Sequence, residues 1–212
     1  IEERLSKIHL DPFLAIQEGV GYVFAHTGIR LLVIVSAFTS VFGWSYASLL
    51  PIVASETFHK GAAELGYLHT ATGLGAVIVA ILASAFVARI GPRYFIIGGN
   101  AVLGLSLIAL SYASTFEAAL AALFFTGLAL TAQFSTSNSV IQHSIDDAVR
   151  GRVMSIYAFS HMGMLPFGSF MIGYLAEYIG AQYAIRINAF VVIAVTLVLF
   201  FQRRHIPKRL PV

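Results

Sequence analysis

The chain has no cysteine among its 212 residues, which excludes a disulfide framework and a thiolate metal site. Charge is scarce too. Asp, Glu, Lys and Arg make up 11% of the residues, where soluble domains carry roughly 25%. The ten acidic residues are Glu2, Glu3, Asp11, Glu18, Glu56, Glu64, Glu117, Asp146, Asp147 and Glu177, and none lies in the middle of a long apolar run. The apolar–polar alternation expected of membrane-barrel strands is missing as well.

What the chain has instead is hydrophobic length. Residues of that class make up 58%, against a soluble norm of roughly 45–50%. They gather into six runs, at 30–53, 65–90, 94–114, 117–141, 153–179 and 183–201. A hydrocarbon core of ~30 Å takes ~20 helical residues at ~1.5 Å each, and all six runs come close to that or exceed it. In lipid the backbone must satisfy its own N–H and C=O groups, so the runs are expected to be helices. The composition predicts an all-α polytopic membrane protein and excludes a soluble globular domain.

The basic residues orient the spans. With the chain starting in the cytoplasm and six spans alternating, the inner segments hold Arg4, Lys7, Arg30, Arg89, Arg93, Arg150, Arg152, Arg203, Arg204, Lys208 and Arg209. The outer loops hold only Lys60 and Arg186, so 11 of the 13 Lys and Arg lie inside. That is the positive-inside pattern, with both termini of the segment cytoplasmic. The net charge of +3 belongs to these short loops and does not signal nucleic acid.

Before the first span, Asp11-Pro12 reads as a helix N-cap followed by proline at the first helical position. Phe13, Leu14, Ile16, Val20, Val23 and Phe24 then fall on one half of a helical wheel, with Asp11, Glu18 and His26 opposite. Two readings fit: a plain amphipathic connector, or an interfacial helix on the inner leaflet. The expected division is a linker at residues 1–28, a bundle at 29–202 and a basic tail at 203–212. Ile1 is not a start residue, so six further spans are expected upstream in the natural protein.

The bundle repeats internally. Val87-Ala88-Arg89-Ile90-Gly91-Pro92-Arg93-Tyr94 aligns with Ala176-Glu177-Tyr178-Ile179-Gly180-Ala181-Gln182-Tyr183 at an offset of 89 residues. Each segment joins a second span to a third. The repeats are about 29–114 and 117–202. Three helices per unit turn the second copy upside down, the inverted repeat of secondary transporters. The charge follows the inversion: Arg89 and Arg93 of the inner copy become Tyr178 and Gln182 in the outer one.

Gly173-Tyr174-Leu175-Ala176-Glu177-Tyr178-Ile179-Gly180 resembles the G-x-L-A-[DE]-x-x-G pattern of major facilitator superfamily transporters. The segment from Ser84 to Arg93 is a degenerate copy, with Ser84 for the first glycine and Ala88 for the acid. Glu18-Gly19, Tyr22, His26 and Ile29-Arg30 resemble the entry into the seventh helix of the drug and siderophore exporter branch, that of the enterobactin exporter and macrolide efflux proteins. Leu50-Pro51, Gly73-Leu74-Gly75-Ala76 and Arg150-Gly151-Arg152-Val153-Met154-Ser155 are similar to that branch too. The resemblance covers residues 12 to about 202. It implies the C-terminal six-helix half of an efflux transporter or antiporter in a bacterial inner membrane, exporting a small-molecule substrate by alternating access. Its partners would be an N-terminal six-helix half and the lipid bilayer; no cofactor and no metal are implied.

Candidate site residues fall into four sets. Ser36, Thr39, Ser40 and Gly43 sit at i, i+3, i+4 and i+7 on the first span, one helical stripe, followed by Trp44 and Tyr46. Thr126, Gln133 and Ser137 share a face of the fourth span. Helix packing explains such stripes. A water-accessible cavity wall explains them equally, and the resemblance implies that these two helices line the cavity. His161, eight residues into the fifth span, is the candidate for proton coupling, because carboxylates are missing at membrane depth; its alternative is a neutral structural histidine. Arg89, Gly91, Arg93, Asp146, Asp147, Arg150 and Arg152 form the cytoplasmic loops, either as solvated caps or, by the resemblance, as a gate. Gly163, Gly168 and Gly173 with Pro166 predict close packing and a bend in the fifth span.

Two other classes remain to be compared. An intramembrane serine hydrolase would use Ser106, in Gly104-Leu105-Ser106, with His161. A non-transporting membrane scaffold would use the bundle without moving anything through it.

Overall fold

The computed structural model describes residues 12–208, without the side chains of residues 12, 84–86 and 88. Asp11 as N-cap, the basic residues Arg4, Lys7 and Arg209, and Ser84 and Ala88 of the degenerate motif lie outside what is described. Among the described residues there is no strand, and helix follows helix with short breaks.

Helix α1 is described over Pro12–Ala25. The second helical rod, α2, spans Thr27–Thr57 and changes its winding as it goes. It is α-helical over Thr27–Phe38, π-helical over Thr39–Trp44 and 3-10 over Ser45–Leu49. A short α-helical piece and a second π-turn end it at Thr57. Helix α3 (Ala62–Ile90) starts where the Gly61 N–H donates to the Glu64 carboxylate at 3.1 Å. Helix α4 is Pro92–Ser111. Helix α5 (Phe116–His143) is capped by Thr115, whose hydroxyl accepts from the Ala118 N–H at 3.2 Å. Helices α6 (Asp147–Ala158) and α7 (Leu165–Ile179) are joined by a π-turn at Phe159–Gly163. Helix α8 is Ala181–Phe201, and a 3-10 turn at Arg203–His205 leads into the tail.

Five of these rods are long and apolar enough to cross a membrane: Thr27–Thr57, Ala62–Ala83, Pro92–Ser111, Phe116–His143 and Ala181–Phe201. The expected fifth run, 153–179, is instead two helices meeting at the Phe159–Gly163 π-turn and Met164. An apolar run reports hydrophobicity and not winding, so the interruption has no signature in composition.

The internal repeat has a backbone counterpart. Gly91 and Gly180, the pair aligned at an offset of 89, adopt φ/ψ of 89/146 and 85/153, and each separates a second-position helix from a third. They are the only positive-φ glycines among the described residues. The turn reverses the chain in one residue, and a left-handed φ of that size suits a residue without Cβ.

Packing also exchanges between the repeats. The first helix of each is crossed at backbone distance by the second helix of the other. Where α3 meets α5, a Cβ on Gly75 would lie 2.0 Å from the Phe124 carbonyl oxygen, and one on Gly127 1.9 Å from that of Thr72. Where α7 meets α2, a Cβ on Gly168 would lie 2.5–2.9 Å from the Val41 backbone. Glycine at these crossings lets helix axes approach so that main chains touch, the usual mode of association where lipid removes the hydrophobic drive. Two apolar cores result. One surrounds Leu50, Leu68, Leu103, Leu123 and Ile172, and the other Leu32, Ile96, Ile141, Val153 and Ile206.

Helix α1 lies against α6. Gly19 packs on Ile156 and Arg152, and Arg152 forms an ion pair with Glu18. Phe13, Ile16 and Phe24 stay exposed, whereas Val23 is buried in the second core.

Candidate functional site

The centre of interest is the crossing of α2 and α7, where two π-turns face each other. A π-turn widens the helix and weakens its hydrogen bonding, and such turns occur often at functional sites. Here the Ser40 hydroxyl, on the α2 π-turn, donates to the main-chain carbonyl of His161 on the other. The Ser36 hydroxyl lies 3.4 Å from His161 Nδ1.

Around the imidazole the walls are aromatic. Phe134 of α5 stacks on it, with ring centroids 4.2 Å apart and planes 26° from parallel. Trp44 meets it edge-on at 5.7 Å. Tyr157, one turn before His161, also stacks on Phe134 and donates from its hydroxyl to the Phe134 carbonyl at 3.2 Å. His161 and Trp44 are half-buried, and the Trp44 indole N–H has no partner. No Asp or Glu bonds to His161 among the described residues; Ser36, Ser40 and the rings of Trp44 and Phe134 surround it.

The polar stripe on α2 does not act as one face. Ser36 and Ser40 turn to His161, whereas Thr39 donates to the Asn100 side-chain oxygen on α4 at 3.3 Å. Gly43 also faces α4, against Leu103. The i, i+3, i+4, i+7 spacing assumed continuous α-helical winding, and the π-turn beginning at Thr39 breaks that period. Tyr46 is buried, with Thr72 of α3 beside its hydroxyl. Thr39, Ser40, Gln133 and Ser137 are each at most 1% exposed, so in this conformation they lie between helices.

In the fifth-span set, Gly168 makes the close approach to Val41, and Gly163 meets only the Phe159 ring of its own turn. Gly173 has nothing within 4 Å of where a Cβ would be. Pro166 stands in the first turn of α7, so the change of winding falls just before it, at Phe159–Met164.

The loop residues form the end of the bundle that carries most of the basic charge. Arg93 is buried and clamps the tail: Nε donates to the Ile206 carbonyl at 2.8 Å, and Nη2 to the same carbonyl and to that of Arg204 at 3.4 Å. At Gly91 a Cβ would lie 2.5 Å from the Lys208 carbonyl oxygen. Asp147 pairs with Arg150 at 2.5 Å within one turn of α6, and Arg152 with Glu18. Asp146 and Arg89 are exposed. Sequence-predicted gate residues are thus partnered within this bundle through Arg93, Asp147, Arg150 and Arg152.

Sequence reasoning missed Asn100, Phe134, Tyr157 and Asn188. Asn188 of α8 donates to the Ser45 hydroxyl of α2 at 3.0 Å. A signal was present: Asn100 and Asn188 are 88 residues apart, nearly the repeat offset, and a lone amide inside an apolar span rarely lacks a partner. The hydrolase pairing is not assembled. The Ser106 hydroxyl lies 2.9 Å from both the Leu103 carbonyl and the Thr126 hydroxyl, two partners away from His161.

The profile of the transmembrane secretion effector family matches residues 4–209. The chain belongs to that family, within the major facilitator superfamily. The chain is similar to the staphyloferrin A transporter of Staphylococcus aureus, with 24% identity over 214 residues. The match covers 98% of this chain and 52% of that protein, so the chain spans about half the length of its curated relative. This membership makes the chain part of a multi-pass membrane transporter family.

Proposed function

We propose that this bundle is the C-terminal half of a secondary transporter that exports a small molecule of the siderophore or drug class. The bundle rocks against a second six-helix bundle by alternating access. The basic end faces the cytoplasm of a bacterial cell, in keeping with the positive-inside pattern. The name of the staphyloferrin A transporter supports a siderophore as the substrate class.

One observation carries the reading: the paired π-turns of α2 and α7, joined from Ser40 to His161 and set against Trp44 and Phe134. The Val41–Gly168 contact lets the two helices pivot with no side chain between them. The loosened winding gives each a place to bend. Trp44 and His161, half-buried and aromatic, supply a wall on which a planar or partly apolar substrate packs. Thr39, Ser40, Gln133 and Ser137 stand one layer behind and hold the wall in place.

The test is substrate flux in the natural protein with Trp44→Ala and His161→Ala. Both variants are expected to reach the membrane in normal amount and to lose at least tenfold in export. Unchanged flux in both removes the crossing from the transport path, and a chain that moves no substrate at all is a scaffold.

A further inference from the structure

Polar groups buried in a membrane protein need partners, because neither lipid nor bulk water supplies them. Most of this bundle obeys. Thr126, fully buried on α5, bonds to the Ala122 carbonyl and to Ser106, both at 2.9 Å. Thr196 on α8 bonds to the Val192 carbonyl at 2.8 Å. Two turns along α5 from Thr126 the pattern fails. Gln133 is 1% exposed and neither end of its carboxamide has a partner. Thr136 and Ser137 have unpartnered hydroxyls, and Asn100 has an unpartnered Nδ2.

The four lie on facing stretches of α4 and α5. These helices touch at Gly99, where a Cβ would lie 3.2 Å from the Gln133 main-chain nitrogen and 3.3 Å from its Cβ. Asn100 follows Gly99, and Thr136 and Ser137 lie one turn from Gln133. Thr39 joins the group from α2 through the Asn100 oxygen. The indole N–H of Trp44 is unpartnered as well, but it belongs to the crossing with α7.

We infer that the middle of the bundle holds bound water between Asn100, Gln133, Thr136 and Ser137, as a fixed part of the fold. The chemistry of the orphaned atoms selects the ligand. Asn100 Nδ2 and Gln133 Nε2 are donors only, whereas Gln133 Oε1 is an acceptor only. A cation satisfies the acceptor and is repelled by the two amide N–H groups. An anion does the reverse, and no basic residue bonds here to hold one. Water gives and takes, and a buried water typically makes about three bonds of this kind. The cluster links α2, α4 and α5 through exchangeable bonds, so the three helices move as one body. This inference does not depend on what the protein transports.

The test is water-to-protein magnetisation transfer by solid-state NMR on the natural protein in lipid bilayers. Thr126 and Thr136 share one helix and near-complete burial, and differ in whether the hydroxyl is partnered. Transfer to Thr136 and Ser137 is expected to build up several-fold faster than to Thr126. Gln133→Leu, or Gln133→Met where the first does not fold, is expected to bring Thr136 and Ser137 down towards the Thr126 rate. Equal slow build-up at Thr126, Thr136 and Ser137 in the unaltered protein overturns the inference. So does a thermal midpoint that rises when sodium replaces choline, which assigns the site to a cation.

Discussion

The Ser40 hydroxyl donates to the main-chain carbonyl of His161, joining two helices at the point where both leave α-helical winding. A carbonyl in a π-turn has a looser intrahelical partner than one in an α-helix, and a hydroxyl from the crossing helix makes good the difference. Ser40→Ala removes it. In membrane proteins such side-chain bonds are worth about 0.6 kcal/mol on average and at most ~1.7. The expected result is a small fall in thermal midpoint with a larger fall in transport, read by unfolding in detergent and by flux on the same preparation.

The glycines of the helix crossings sort by what a methyl group meets. Gly75→Ala, Gly127→Ala and Gly168→Ala each drive Cβ into a neighbouring main chain, which has no rotamer to escape by. Overpacking of this kind costs about 1–3 kcal/mol. Gly173→Ala meets nothing within 4 Å and gains up to ~1 kcal/mol of helix propensity. Thermal unfolding of the four variants is expected to show three destabilised and one unchanged or improved.

His161 stands among rings and hydroxyls, with Ser36 at 3.4 Å and Phe134 stacked at 4.2 Å. A residue that carries the proton of a transport cycle needs a partner to take it, and no carboxylate bonds to it among the described residues. His161→Gln keeps a hydrogen-bonding side chain and cannot titrate. Transport by this variant is expected to fall several-fold with the shape of its pH profile preserved. A flattened profile at normal expression makes His161 a coupling residue.

Arg93 holds the tail by two main-chain carbonyls, those of Ile206 and Arg204. Lysine presents a single ammonium and does not reproduce that fork. Arg93→Ala and Arg93→Lys are both expected to release the tail, and tryptic cleavage after Arg203 and Arg204 is expected to speed up several-fold, with the bundle itself intact. Cleavage at the unaltered rate shows that the tail is held by Gly91 and Ile206 packing alone.

The parts of the fold that were legible in sequence are those where physics leaves few options. Gly91 and Gly180 could be paired because a one-residue reversal at positive φ selects glycine, and glycine is visible as a letter. Winding was not legible. The stripe from Ser36 to Gly43 assumed 3.6 residues per turn, and the π-turn at Thr39 sends its members to two neighbours, His161 on one side and Asn100 on the other. Pro166 marked the neighbourhood of the break in the fifth span, but the break lies at Phe159–Met164, set by the crossing with α2. Asn100 and Asn188 are single residues whose partners lie 61 and 143 positions away, a distance local pattern does not reach.

The account rests on the bundle being part of a protein that moves a small molecule, and flux through the natural protein tests that most directly. Reconstituted into proteoliposomes with a siderophore or a fluorescent drug inside, it is expected to show saturable transport that Trp44→Ala reduces at least tenfold at equal incorporation. Flux equal to that of protein-free vesicles for every compound offered, in a correctly folded preparation, would contradict the account and leave a membrane scaffold.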